Sequence, residues 1–240
     1  MPAVAATPAP RRPRNDPAQY DDLAAEWWDP GGAFAALHWL ARARAELIPP
    51  APRDGARLLD LGCGAGVLAP HVPGGYEHHG VDLNAEALEQ AALRGVRTLR
   101  ADVTAVPLED GFADVVVAGE LLEHVPDVEG VVAEAVRLLR PGGTVVLDTI
   151  APTFWARLSL VWVGERLPGG PPPRIHDPAM FVAPARLRAA FGAHGMAVAL
   201  RGLQPHPLDY LRFLRDRSHT VRMTPTRSLA ALYQGSGVKP

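Results

Sequence analysis

The sequence is poor in cysteine, in net charge and in long apolar runs. Cys63 is the single cysteine, which excludes an internal disulfide framework and a cysteine-based zinc site. The formal net charge of −2 provides no basic field for nucleic acid, so we expect no nucleic-acid partner. No run approaches the ~20 apolar residues that a membrane-spanning helix requires. These properties predict a globular protein of the reducing cytoplasm.

Proline and glycine mark the boundaries between segments of the chain. Residues 1–15 are rich in proline and alanine and lack an apolar core with a cleavage site, so we expect a disordered tail and no signal peptide. The spacing of apolar residues predicts an N-terminal helical cap over 16–50. Residues 51–240 then form one α/β domain of ordinary size.

Short apolar segments alternate with helical patterns between residues 57 and 150. Strands are predicted at 57–61, 79–83, 96–101, 113–118 and 144–150, with helices at 66–71, 85–94 and 128–139. This alternation predicts a parallel sheet with helices on both faces. Further along, the pattern predicts an apolar and aromatic segment at 153–167, a helix at 185–194, and closing strands at 198–203 and 229–233.

The first predicted strand runs into a glycine-rich loop, Asp60-Leu61-Gly62-Cys63-Gly64-Ala65-Gly66. Glycines let the backbone approach a ligand closely, and a following helix would present free N–H groups. The spacing differs from the G-x-G-x-x-G of dinucleotide sites, and Asp60 would repel a pyrophosphate, which argues against an NAD(P)-dependent oxidoreductase. A carboxylate here favours a cationic, amine-bearing ligand such as S-adenosylmethionine (SAM). Cys63 is interpreted as a packing residue, with a nucleophile as the alternative.

Two more carboxylates follow the next two strands at the same edge of the sheet. Asp82, followed by Leu83, stands where an acidic residue can accept both ribose hydroxyls. Asp102, followed by Val103, can meet an adenine amino group. Each aspartate alone is better explained as a helix N-cap. Three of them together with the glycine loop indicate a SAM site, because ligands bind at the carboxyl edge of such sheets.

These motifs resemble those of class I SAM-dependent methyltransferases, of which Pro141-Gly142-Gly143 is also typical. The flanks resemble one family more closely, the ubiquinone-biosynthesis O-methyltransferases, which methylate polyprenyl catechols and demethylubiquinol. The similar segments are 20–30 with Phe34, Leu37 and His38, then 119–127, 163–165, and 176–178 with Phe181 and Pro184. The resemblance implies a Rossmann-like fold with a seven-stranded, mostly parallel sheet and a lid or insertion near 151–184.

The resemblance also implies roles for individual residues. Arg44 would hold the SAM carboxylate and Asp82 the ribose, while Gly62 would contact SAM through its backbone. Gly119, where the family often has a larger residue, would lie near the adenosine. The full expected cofactor-binding set is Arg44, Asp60, Gly62, Gly64, Gly66, Asp82, Leu83, Asp102, Val103 and Gly119.

Glu120, Glu123 and His124 follow the fourth strand with helical spacing and are the catalytic candidates. The three could hold Mg²⁺, which would bind a catecholate and lower its pKa. His124 could alternatively act as the general base on a phenol. A third interpretation is that the motif only shapes the loop, because Glu-His-Val after this strand occurs in many SAM methyltransferases. His176 and Asp177 are further candidates on the substrate side.

The expected reaction transfers a methyl group from SAM to a phenolic hydroxyl of a prenylated or quinone-related hydroxybenzene. One alternative is a methyltransferase of secondary metabolism with a non-quinone acceptor, and a remote one is a non-catalytic SAM-binding protein. Segment 153–163 has two tryptophans and Arg157, which suit a lid over an apolar substrate or a helix in the membrane interface, with core packing as the alternative. The resemblance thus implies a cytoplasmic protein with peripheral contact at the inner membrane face.

Overall fold

The computed structural model describes residues 12–240, and its centre is one eight-stranded sheet. The strands are β1 Ala56–Leu61, β2 Tyr76–Asp82, β3 Arg97–Arg100, β4 Ala113–Gly119, β5 Leu139–Ile150, β6 Val198–Pro205, β7 Met223–Thr226 and β8 Leu232–Val238. Their order is β3-β2-β1-β4-β5-β8-β6-β7, parallel from β3 to β5 and antiparallel beyond. The predicted Rossmann-like α/β fold is confirmed, with one strand more than the seven expected.

Helices cover both faces of the sheet. They are α1 Ala18–Asp22, α2 Ala35–Ala45, α3 Ala85–Ala92, α4 Val128–Leu138, α5 Phe154–Ala156, α6 Pro184–Gly192 and α7 Pro207–Arg215. From α5 the chain continues as a π-helix, Arg157–Val163, and a 3₁₀ helix, Gly164–Arg166. Among residues 12–240, no helix is both long enough and apolar enough to cross a membrane.

The central strands are apolar on both sides because each side meets a different helical layer. In β4, Val115 and Val117 pack in one cluster with Trp27 and Phe34, which lie between α1 and α2. Residues alternating with them in β1, β4 and β5 pack in the second cluster with α4 and α6. Because successive side chains of a strand point to opposite faces of the sheet, a continuous apolar run contributes to two hydrophobic cores, one on each face.

The connection from β6 to β8 forms α7 and β7, which have no counterpart among the predicted elements. Strand β7 is short and contains Pro225, as suits the edge of a sheet. Strand β8 starts three residues later than the predicted 229–233 and includes Gly235 and Gly237. A Cβ at either glycine would lie 2.4 Å from a backbone carbonyl oxygen of the adjacent segment 197–199, at the start of β6. The close approach of this segment explains why β8 contains glycines and lacks an apolar pattern.

The helix predicted at 66–71 is absent. Turns and the 3₁₀ helix Ala69–His71 take its place. Gly66 has φ +76°, which is outside the helical region, and Pro70 and Pro73 stop helical hydrogen bonding from continuing. The glycine loop therefore presents its own backbone, without a regular helix N-terminus behind it.

The packed part of the chain begins before residue 15, the predicted end of the tail. Arg14 forms an ion pair with Glu165, at 2.6 Å between Nη1 and Oε1, and donates to the carbonyl of His176. Residues 12–15 therefore belong to the packed structure, whereas residues 1–11 of the predicted tail lie outside the described residues.

Candidate active site

A cavity of about 430 Å³ lies at the carboxyl ends of β1, β2 and β4. This is the edge of an open α/β sheet at which ligands bind. The N-terminal segment, the glycine loop, the strand ends and the segment after β5 all contribute to its wall. Of the predicted site residues, those lining it are Arg44, Asp60, Gly62, Gly64, Asp82, Leu83, Val103, Gly119, Glu120 and His124.

Of the predicted cofactor-binding and catalytic residues, three do not line this cavity. Gly66 packs on α3 instead, where a Cβ would lie 3.1 Å from the backbone of Ala91. Asp102 is exposed, and its carboxylate accepts from the N–H and hydroxyl of Thr104, which lowers the pKa of Asp102. The carboxylate thus closes a turn outside the cavity lining, and its contact with adenine stays a prediction. Glu123 is fully buried behind the wall. Of the two substrate-side candidates, His176 lines the cavity, whereas Asp177 does not and accepts from the N–H of Ala179.

Asp82 shapes the glycine loop as well as facing the cavity. Its carboxylate accepts from the N–H groups of Gly64 and Asn84 at 2.8 and 2.9 Å. Burial raises the pKa of Asp82, while these backbone donors oppose the rise. Gly64 has φ +50°, and a Cβ there would lie 2.9 Å from the ring of Trp27. Only glycine fits between this indole and the turn, so the loop backbone remains open to the cavity.

A buried ion pair lies beside the end of β4. Arg44, 4% exposed, donates from Nε and Nη2 to Asp148 at 2.5 and 3.0 Å. A Cβ at Gly119 would lie 1.8 Å from Cζ of Arg44, so the guanidinium occupies the space that a side chain at 119 would need. Asp148 also accepts from the N–H of Glu120 at 2.8 Å. Asp148 therefore links the predicted SAM-binding arginine to the segment that holds the catalytic candidates.

Two buried carboxyl groups follow this ion pair. Glu123 accepts from the Thr149 hydroxyl at 2.7 Å, and burial raises the pKa of Glu123 to about 7. Burial and the neighbouring Glu123 raise the pKa of Glu120 well above its usual value. One buried oxygen of each group, Oε1, has no partner within residues 12–240. Glu120 also has φ +49°, a strained conformation for a non-glycine residue that often marks functional sites.

Two histidines meet next to Glu123. The rings of His124 and His176 have centroids 5.0 Å apart, and one ligand atom from each of Glu123, His124 and His176 lies within 4.8 Å of the others. Burial lowers the pKa of His124 to about 4 and that of His176 well below its usual value, so both rings are neutral. The structure thus groups His176, rather than Glu120, with Glu123 and His124.

Several residues of the site have no role in the sequence-based prediction. Tyr20 stacks on Trp27 and Phe34, and its hydroxyl lies 3.4 Å from Nε2 of His124. Asp148 lies near the carboxyl end of β5. The rule that ligands bind at the carboxyl edge of such sheets, which points to Asp60 and Asp82, therefore points to Asp148 as well. Asn15 contacts His124 from a segment with no structural pattern of its own.

Known proteins resemble the chain in both sequence and structure. A methyltransferase-domain model matches residues 59–147. A ubiquinone biosynthesis O-methyltransferase of Cupriavidus pinatubonensis is 35% identical over 243 residues, which cover 96% of this chain and 97% of that protein. Its counterpart in Burkholderia vietnamiensis is 36% identical over 204 residues, covering 79% and 86%. The chain belongs to the ubiquinone-biosynthesis O-methyltransferase family.

The predicted family resemblance is therefore confirmed, and the protein is a class I SAM-dependent methyltransferase. A Thermotoga maritima SAM-dependent methyltransferase, described as a possible histamine N-methyltransferase, superposes with a TM-score of 0.65 at 20% identity, covering 92% of this chain and 97% of that one. Magnesium protoporphyrin IX methyltransferase of Synechocystis PCC 6803 gives 0.62 at 15% identity, covering 93% and 95%. At these identities the two structures support the fold alone.

Proposed function

We propose that this methyltransferase transfers the methyl group of SAM to a phenolic hydroxyl of a prenylated or quinone-related hydroxybenzene. The observation that carries the proposal is the mixed lining of the cavity. Carboxylates and the glycine loop contribute to it together with many apolar side chains. The apolar side chains include Phe34, Leu37, Leu40, Ile150, Leu160 and Ile175. His124 lines the same cavity, within reach of an acceptor hydroxyl.

The carboxylates and the arginine of the cavity lining fit SAM. Asp60 is buried, and its nearest potential cation is the His78 ring, 3.5 Å away, so an ammonium group of a ligand would be a better partner. Asp82 would accept the ribose hydroxyls, and Nη1 of Arg44 makes no hydrogen bond to residues 12–240 and would donate to the ligand carboxylate. Bound SAM supplies an electrophilic methyl group, and these residues fix its orientation.

The residues around His124 fit a divalent cation better than a general base acting alone. A base with a pKa of about 4 is poorly matched to a phenol, whose pKa is roughly 10. Oε1 of Glu123 and Nδ1 of His176 are buried without partners in the described chain, as expected of groups that await a ligand. Glu123, His124 and His176 would hold Mg²⁺ or another divalent cation, with Glu120 nearby. A cation there lowers the pKa of a bound phenol.

The stabilisation of the fold by such a cation should increase as pH rises. Between about 4.5 and 7, folded Glu123 keeps a proton that the unfolded chain has released, so the free energy of unfolding falls as pH rises. The cation needs the deprotonated carboxylate. We therefore expect Mg²⁺ or Mn²⁺ to raise the melting temperature at pH 8 and much less at pH 5.5. Differential scanning fluorimetry of wild type and Glu123→Gln tests this, and equal shifts for both proteins would exclude the site.

Methyl transfer to a panel of phenols tests the proposed function itself. We expect SAM-dependent O-methylation of catechols, detected by mass spectrometry, with the highest kcat/KM for acceptors that carry a prenyl chain. Equal rates for short, polar phenols would favour the alternative of a non-quinone acceptor. SAM binding without methylation of any acceptor would favour the remote alternative, a non-catalytic SAM-binding protein.

The segment after β5 supports a further proposal, peripheral contact with a membrane. Leu160 lines the cavity and Val161 is buried, whereas Phe154, Trp155 and Trp162 are exposed by 68%, 58% and 54%. Core packing therefore does not account for the aromatic residues, which suit a membrane interface. We expect a Trp155→Ser/Trp162→Ser variant to lose sedimentation with anionic liposomes. Leu93→Ser removes an apolar residue that is 86% exposed at the C-terminal end of α3, and it is the control. The same sedimentation by all three proteins would contradict the proposal.

A further inference from the structure

Asn15 holds His124 at two points. Its side-chain Nδ2 donates to the backbone carbonyl of His124 at 3.1 Å, and its Oδ1 lies 2.5 Å from Nδ1 of the imidazole. The Asn15 backbone N–H donates to the carbonyl of Arg174 at 3.0 Å, which ties the residue to the loop before His176. Asn15 has φ +57°, a conformation that asparagine tolerates better than most residues.

The carbonyl contact determines the orientation of the Asn15 amide. A backbone carbonyl only accepts hydrogen bonds, so the group facing it must be Nδ2, the donor. The other end of the amide, Oδ1, then faces the imidazole. Because Oδ1 only accepts, Nδ1 of His124 must carry the proton in this contact. With the proton on Nδ1, the lone pair of the neutral ring lies on the second nitrogen, Nε2.

We propose that Asn15 is a positioning residue that fixes the Nδ1–H tautomer of His124 and so aims the Nε2 lone pair at the reacting groups. Nε2 lies 3.4 Å from the hydroxyl of Tyr20. A tyrosine hydroxyl is a hydrogen-bond donor and can face this lone pair. Both roles considered for His124, cation ligand and proton acceptor, require a lone pair at Nε2, and the opposite tautomer would abolish both.

Arg14 provides a matched control, because it anchors the same segment without touching His124. Its guanidinium binds Glu165 and the carbonyl of His176. If Asn15 only held the segment in place, Arg14→Ala and loss of the Asn15 side chain would have the same effects. If Asn15 sets the tautomer, only changes at Asn15 will alter the imidazole.

The test is the protonation pattern of His124, read by long-range ¹H–¹⁵N NMR of the ¹⁵N-labelled full-length protein at pH 7.5. The His124 signals are assigned by their loss in His124→Gln. We expect Nδ1–H with unprotonated Nε2 in wild type and in Arg14→Ala. Asn15→Gly removes the amide without backbone strain, because glycine adopts positive φ freely, and should shift the ring towards Nε2–H. Asn15→Asp keeps the acceptor oxygen and should retain the wild-type tautomer.

Steady-state kinetics add a second measurement, which rests on the proposed function, whereas the NMR measurement does not. We expect Asn15→Gly to lower kcat by roughly 10- to 100-fold, the usual effect of removing the partner of a functional histidine, with partial rescue in Asn15→Asp. SAM affinity should not change. An Nε2–H tautomer in wild type, or an unaltered tautomer in Asn15→Gly, would overturn the proposal. Wild-type NMR results without any methyl transfer would instead refute the proposed function.

Discussion

Replacing Gly119 with alanine is expected to destabilise the protein by about 3–5 kcal/mol and to abolish tight SAM binding. The new Cβ would lie 1.8 Å from Cζ of Arg44. A guanidinium on a flexible side chain can normally move aside, but this one is buried and bonded to Asp148 through two nitrogens. Moving it leaves the Asp148 carboxylate buried without its partner. Chemical denaturation and SAM calorimetry of the variant measure the two effects.

The control for this prediction is Gly192→Ala, at the end of α6. A Cβ at Gly192 has no heavy atom within 4 Å among the described residues, and alanine favours a helix. This variant should be as stable as wild type or slightly more so. If Gly119→Ala also kept wild-type stability and SAM affinity, Arg44 would be free to move, and the ion pair would not define this part of the cavity.

Replacing His124 with alanine is expected to lower kcat by roughly 10²- to 10⁴-fold, the range for a group that handles the acceptor proton. The expected loss is the same in direction whether Nε2 accepts the proton or binds a cation. SAM affinity should persist, because the predicted SAM contacts come from the glycine loop, Asp82 and Arg44. Rapid-mix kinetics at saturating SAM, beside calorimetry, separate the two quantities.

His194→Ala is the matched control, because His194 is exposed in the turn after α6. It should retain wild-type kcat. A His124→Ala enzyme with wild-type turnover would show that the imidazole only shapes the loop, which is the third interpretation that the sequence leaves open.

The sequence predicts the parts of the fold that repeat a simple pattern. The five strands that alternate with helices follow from the periodicity of apolar residues. The carboxylates at the strand ends follow from the rule that ligands bind at the carboxyl edge of parallel sheets. The exceptions have local causes. Pro70 and Pro73 prevent the helix after the glycine loop. In β8, the close approach of β6 requires glycine at position 235, and this glycine interrupts the apolar pattern by which a strand is predicted.

The proposed cation-binding cluster is less predictable, because its members come from distant parts of the chain. Glu123 and His124 are neighbours in sequence, so spacing alone groups them. His176 and Asn15 reach the same point only through tertiary packing, across 109 residues in the case of Asn15 and His124. A proline-rich segment without periodicity predicts a tail, yet its last residues, Arg14 and Asn15, bind the site through side-chain contacts that no local pattern encodes.

The most direct test of the central claim, a SAM site at the carboxyl edge of the sheet, is calorimetric titration of SAM and S-adenosylhomocysteine. We expect micromolar binding by wild type and, in Asp82→Ala, an affinity lower by 10-fold or more, which is roughly 1.4 kcal/mol or above. Asp102→Ala removes an aspartate after the next strand whose carboxylate accepts from Thr104 and does not line the cavity, and it should bind as wild type does. No binding of either ligand by wild type, or equal affinities for the two variants, would contradict the account.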